Sequence, residues 1–295
     1  MGTSRQIAET VSNNLENMGG KLYVRAPVDE ILISNGKAAG VRLKGGEEIY
    51  APLVISSAGV VNTYAELLRN SPNINTYLKQ LQTVSQTPSY VCLYMGLKIS
   101  PEKLQEKNTN LWIYPSYNHD QNVKNYLQDR DKEFPVVYIS FPSAKDPTYM
   151  KDNPGYSTME AITVFPFEDY DKWKEKPWKK RGEDYEKQKE AISQRILNTV
   201  YKHVPAAKNH LDYYELSTPL SVKSMANYKK GELYGIDHTP ERFHQRWLKP
   251  KSEIKNLYLT GQDVLTVGVT SALFSGLLTA SAILKKNLMN ELMKN

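Results

Sequence analysis

Residues 257–263, Leu-Tyr-Leu-Thr-Gly-Gln-Asp, place a short apolar run, a glycine turn and a carboxylate in succession, and an uncharged, small-residue-rich stretch then runs to Leu284. That order suits a large, polyhydroxylated, anionic ligand. Gly261 lets backbone approach such a ligand closely because it lacks a Cβ. The helix expected after the turn offers unpaired N–H groups and a partial positive charge at its start. Asp263 carries two oxygens able to accept hydrogen bonds from ligand hydroxyls. A strand, a Gly-Asp turn and a helix also occur together in α/β proteins that bind nothing, so the turn alone does not choose between a site and a plain connection.

Little other chemistry is written in the chain. The five histidines, His119, His203, His210, His238 and His244, are scattered, and none has a carboxylate or second histidine at metal-ligand spacing. No metal is expected. Cys92 lies inside an apolar run and reads as a buried structural thiol, and no G-x-S-x-G elbow is present. No acid–base pair stands out, so the catalytic side chains are unknown. The 20 tyrosines fit a cavity lined for an apolar or polyene substrate, and Tyr-rich packing accounts for them equally well. Neither G-x-G-x-x-G nor a P-loop occurs in the 295 residues.

The bulk properties are those of a globular protein, with 40% hydrophobic and 24% charged residues. One cysteine rules out an intramolecular disulfide and a cysteine zinc cluster, and fits a reducing, intracellular compartment. The N-terminal residues lead into an amphipathic pattern without a signal core, and Gln6 stands where Gly2 acylation wants Ser or Thr. Val264–Leu284 is long enough to be weighed as a membrane span, but its Thr, Ser and Gly content favours a buried helix of a soluble fold. Part of the net charge of +6 comes from residues 171–181, which hold six Lys/Arg, two acidic residues, Trp173 and Trp178. A solvated loop with packing tryptophans is favoured there over peripheral contact with an anionic membrane, and nucleic-acid binding is not expected.

These residues need elements to position them. Ile7, Val11, Leu15 and Met18 recur at helical spacing, so 4–18 reads as a helix stopped by Gly19-Gly20. Strand-like runs at 21–33, 38–44 and 48–56, separated by Ser34-Asn35-Gly36-Lys37 and Lys44-Gly45-Gly46-Glu47, predict a β-meander. Leu53–Ser56 is continuously apolar, as in a strand covered on both faces, and Ser57-Ala58-Gly59 then turns into a helix over 62–69. Strands are predicted at 88–99, 110–115, 135–141, 157–165 and 211–217. A helix is predicted over 183–203 with Ile192, Ile196, Val200 and His203 on one face, and 218–250 reads as loop-rich. The fold class is therefore α/β with an α+β insert: 1–75 and 246–295 form one piece, and 76–245 forms a β-rich substrate-type domain with a mixed or antiparallel sheet.

A family resemblance extends this picture. Gly2–Thr10, Gly19-Gly20-Lys21-Leu22-Tyr23, Ala26-Pro27-Val28-Asp29-Glu30-Ile31 and the 53–59 strand resemble the middle of FAD-dependent phytoene-desaturase-type oxidoreductases. That group includes carotenoid isomerases and retinol saturases, the all-trans-retinol 13,14-reductases. Ser217-Thr218-Pro219-Leu220, Gly231-Glu232-Leu233-Tyr234-Gly235, Asp237-His238-Thr239, Arg242-Phe243 and Leu257–Thr266 look most like the retinol saturase branch. The resemblance is specific near the two ends and poor between about 100 and 210.

It implies a partial Rossmann-type FAD domain without its N-terminal βαβ unit. Val28 would meet the adenine through its backbone, and Ala58 and Gly59 would line the cofactor cleft. Gly261, Gln262 and Asp263 would hold the ribityl–pyrophosphate region. The helix starting near Gly268 and Val269, with Ser271 giving a small surface, would point at the isoalloxazine. The cofactor implied is FAD, with NAD(P)H as an electron donor. Because the dinucleotide fingerprint is not in these residues, the resemblance also implies a second polypeptide covering the open sheet and a polyene or isoprenoid substrate. A non-catalytic accessory or structural subunit derived from such an enzyme is the alternative.

Overall fold

A computed structural model describes residues 4–104 and 109–294. The resemblance at Gly2–Thr3 and the acylation motif at Gly2 lie partly or wholly outside them. The strands are β1 (Val28–Ser34), β2 (Lys37–Leu43), β3 (Glu48–Tyr50), β4 (Val54–Ser56), β5 (Tyr90–Leu97), β6 (Leu111–Ile113), β7 (Val137–Ser140), β8 (Ser157–Val164), β9 (Leu211–Ser217) and β10 (Leu257–Leu259). The α-helices are α1 (Ser4–Asn17), α2 (Ile74–Leu81), α3 (His119–Gln128), α4 (Pro142–Lys145), α5 (Tyr149–Asp152), α6 (Glu183–His203), α7 (Pro219–Ala226), α8 (Pro240–Phe243), α9 (Val269–Leu284) and α10 (Leu288–Leu292). The chain is mixed α/β.

It divides into two compact units, residues 1–22 with 88–232 and residues 23–87 with 233–295. These bounds differ from the sequence-based ones: α1 groups with the middle of the chain, and 76–87 and 233–245 group with its ends.

The unit containing 88–232 is built on a five-stranded sheet of order β6-β7-β8-β5-β9, antiparallel throughout. Strand β8 alternates, with Ser157, Met159, Ala161 and Thr163 buried, as a half-covered strand should. Helix α6 buries Ile192, Ile196, Leu197 and Val200 in the same core. Each fully buried Leu, Ile or Met side chain contributes about 1.5–3 kcal/mol. His203, expected on that face, is exposed at the last turn of α6. An aromatic chain of Tyr126, Phe165, Tyr170, Trp173 and Tyr185, with neighbouring ring centroids 5.4–6.3 Å apart, fills the rest. The basic segment is tied into this core: Trp173 is buried and its Nε1–H donates to Asp184 at 2.9 Å. Arg181 is buried too, donating to the Leu220 carbonyl and the Ser224 hydroxyl. Trp178 stays exposed, with Lys179 over its ring.

The unit of residues 23–87 and 233–295 holds two small sheets. β1-β2-β3 is an antiparallel meander, and β4 pairs with β10 in parallel, Val54 opposite Leu257 and Ser56 opposite Leu259. The run 48–56, expected to be one meander strand, is thus two strands in two sheets. Pro52 lies between them, and without an N–H it cannot continue a ladder. The expected cover on both faces of β4 is also corrected: Val54 and Ser56 are buried, whereas Ile55 is 49% exposed.

Candidate functional site

Two strand ends meet a buried carboxylate. Because β4 and β10 run in parallel and in register, the turns that follow them, Ser57-Ala58-Gly59 and Thr260-Gly261-Gln262-Asp263, emerge at the same edge. Asp263 is 4% exposed, and its two oxygens accept from the backbone N–H groups of Val60 (2.9 Å) and Ile236 (3.1 Å). Each of those donors follows a glycine with positive φ, Gly59 at +83° and Gly235 at +70°. A Cβ at Gly235 would collide with Asp263 Oδ1, and one at Gly59 would press on Oδ2 at 3.2 Å. The glycines are needed because the carboxylate sits against their backbone. Beyond the 58–59 turn, the helix expected over 62–69 is a short π-helix, Asn62–Leu67.

The turn after β10 is fixed from the helix side as well. Ser275 Oγ accepts the Gly261 N–H at 2.6 Å and donates to the Ala272 carbonyl, and Thr279 donates to the Leu259 carbonyl at 2.9 Å. Helix α9 therefore turns its hydroxyls toward the sheet. Its buried residues are Ser275 and Thr279, while Val269 (61%), Leu273 (60%), Phe274 and Leu278 are exposed. The helix starts at Val269, beside the expected Gly268–Val269, but its expected burial is corrected, because its apolar side faces outward. At 16 residues it is short, and no helix among the described residues is long and apolar enough to cross a membrane.

Gly268 caps α9 at φ +96° without a side-chain hydrogen bond, and the first intrahelical bond is Ala272 N–H to the Gly268 carbonyl at 3.0 Å. The N–H groups of Val269, Thr270 and Ser271 precede that bond and have no intrahelical acceptor. A Cβ built at Gly261 or Gly268 meets nothing within 4 Å, so the surface beside both is open.

The structure thus brings Ala58, Gly59, Gly261, Gln262 and Asp263 to adjacent strand ends, with Gly268, Val269 and Ser271 at the helix start that follows. Val28 opens β1 in the other small sheet. Two residues quoted for the resemblance but given no role there adjoin the site. Arg242, 3% exposed, donates to the carbonyls of Gln262 (2.7 Å) and Leu265 (3.3 Å), and His238 Nε2 accepts the Val267 N–H at 3.0 Å. Their signal in the sequence is the resemblance of Asp237-His238-Thr239 and Arg242-Phe243, which assigns neither residue a role. No group of His, Cys, Asp or Glu among the described residues is placed to hold a metal. Burial pushes the Cys92 thiol up to about 12, so it is no nucleophile at neutral pH.

No family model matches the chain. It is 36% identical over 299 residues to the all-trans-retinol 13,14-reductase of Danio rerio, covering 97% of this chain and 49% of that protein. The chain is a relative of the all-trans-retinol 13,14-reductases. More distantly, it is 26% identical to the neurosporene-forming phytoene desaturase of Rhodobacter capsulatus, over 96% of this chain and 53% of that one. Among solved structures, an oxidoreductase from Methanosarcina mazei shares the fold, with a TM-score of 0.56 at 17% identity over 93% of this chain and 52% of its own. The chain spans about half the length of the curated relatives it matches.

Proposed function

We propose that the chain is the C-terminal portion of an FAD-dependent oxidoreductase acting on a conjugated polyene or other isoprenoid, such as a retinoid or carotenoid. FAD, when bound, supplies hydride or electron transfer, and a nicotinamide dinucleotide is the expected electron donor. The observation that carries this is the parallel β4–β10 pair delivering two glycine turns to one edge, followed by a helix whose first N–H groups lack intrahelical acceptors. In this reading the two pieces at the chain ends are part of a Rossmann-type domain, and 88–232 is the core of the substrate-type insert.

The chain's own residues fit part of the cofactor. Open space beside Gly261 and Gly268 admits a ligand, and the α9 N-terminus would favour negative charge on a reduced flavin ring. Asp263 shapes the turn through Val60 and Ile236 more than it reaches outward. The pyrophosphate would need a G-x-G-x-x-G segment on a further polypeptide, which would also cover Ile55 and the outward face of α9.

The test is to purify this chain alone and together with a polypeptide bearing the fingerprint, and to record flavin absorption. Flavin retained only by the pair is the expected result; a stable pair that never takes up flavin would sink the proposal. That outcome would favour a non-catalytic accessory subunit, for which the engagement of both Asp263 oxygens is the supporting observation.

A further inference from the structure

The turn that leads into α9 is held from behind by a buried guanidinium and an imidazole. Arg242 Nη1 donates to the Ile236 carbonyl at 2.8 Å and lies 3.0 Å from His238 Nε2 and 3.2 Å from its Nδ1, and Nη2 donates to the Gln262 and Leu265 carbonyls. None of its described hydrogen bonds goes to a carboxylate. A buried cation held by carbonyl oxygens is costly and needs a return elsewhere in the structure. Asp263 and Asp237 offset part of the cost through space, and the rest of the return is geometric. In a planar trans peptide the C=O and the following N–H point opposite ways. With the carbonyls of Gln262 and Leu265 drawn to the guanidinium, the N–H groups of Asp263 and Thr266 are turned away from it.

We propose that Arg242 and His238 are positioning residues for the stretch 262–268, and that His238 serves only as the neutral imidazole. This rests on the reading of that stretch as a flavin contact. His238 Nε2 accepts the Val267 N–H at 3.0 Å, which assigns the ring proton to Nδ1. A protonated ring has no lone pair for Val267 and would place a second cation against Arg242. The groups facing the ring are Arg242 from α8, Asp237 from the loop before it, and Asp263 from the turn after β10; the Phe243 ring lies edge-on at 6.2 Å. Burial and then Arg242 hold the imidazole below its usual 6.5, with Asp237 and Asp263 opposing.

The sign follows from that direction. A folded-state value below the unfolded one makes the clamp fully present above the usual 6.5, and it is lost as pH falls through the folded value. Acid therefore frees the loop ahead of α9, whereas neutral pH holds it.

The experiment is amide hydrogen exchange on the whole 295-residue chain, corrected for intrinsic rates, from about pH 7.5 down to about pH 5, with His238 followed by NMR. The Val267 amide should exchange about three- to tenfold faster once His238 is protonated, the range set by one hydrogen bond. H238Q, whose side-chain carbonyl accepts but does not titrate, should give a flat profile, and R242K should loosen 262–266 at both ends of the range. Val267 protection that stays constant while His238 titrates would overturn the proposal, as would an H238Q profile matching wild type. Should H238Q fail to fold, the paired wild-type titrations decide the matter alone. In the protein completed with its fingerprint polypeptide, R242K should weaken FAD about tenfold; unchanged affinity would overturn the positioning role. A clamp that behaves as described in a completed protein without flavin would sink the flavin reading and leave the clamp standing.

Discussion

At the scale of single residues, Asp263 joins three places distant in sequence. Its acceptors serve Val60, 203 positions away, and Ile236, 27 positions away. Asp263→Asn keeps the shape but sets an NH2 donor against one of those backbone N–H groups. It should cost about 1–3 kcal/mol in chemical denaturation, the range for leaving a buried donor without its acceptor. A D263N protein as stable as wild type would show that the carboxylate is not a staple. Gly261 and Asp263 were legible from the 257–263 pattern because a glycine turn and an acid at a strand end are local signals. Their partners were not. Nothing near Val60 or Gly235 announces that a carboxylate from far along the chain will need space there, and nothing local says that Arg242 will be buried.

At the scale of elements, helix α6 was readable because Ile192, Ile196 and Val200 recur at helical spacing and are buried together. Helices α7 and α8 carried a signal that a loop-rich impression obscured: Thr218-Pro219 and Thr239-Pro240 each place an N-cap hydroxyl before a proline at the first helical position. Helix α9 defeated the usual rule. Its uncharged sequence predicts burial, yet the side facing the sheet carries Ser275 and Thr279, hydroxyls that bond the Gly261 N–H and the Leu259 carbonyl. The outward Leu273 and Phe274 are exposed among the described residues. Replacing both with Gln should leave the chain's own melting temperature nearly unchanged, since exposed substitutions fall within about 0.5 kcal/mol. The same change should weaken association with the proposed fingerprint polypeptide more than tenfold, because about 1.5–3 kcal/mol of burial is lost per side chain. A substantial fall in melting temperature would mean that this face belongs to the chain's own core.

At the scale of the whole molecule, the two units have separate cores and different connectivity, and that difference predicts how each behaves alone. The core of Val91, Leu93, Ile139, Met159, Trp173, Ile196 and their neighbours lies entirely within one continuous segment, 88–232. The other core draws Ile31, Val54, Tyr64 and Tyr77 from before that segment and Ile236, Leu257 and Leu259 from after it. A fragment of residues 88–232 should therefore fold unaided and unfold cooperatively, with a stability on the order of 5–10 kcal/mol for a domain of this size. A fragment of 23–87 should not. Its β4 has β10 as its strand partner, and the Val60 N–H has Asp263 as its acceptor; both come from the later segment. Adding 233–295 to 23–87 should restore dispersed NMR signals that neither piece gives alone, because parallel pairing at Val54–Ser56 and the Asp263 bonds need both. A disordered 88–232 fragment would overturn the independence of its core, and a folded 23–87 fragment would show that the meander, not the β4–β10 pair, organises the other unit.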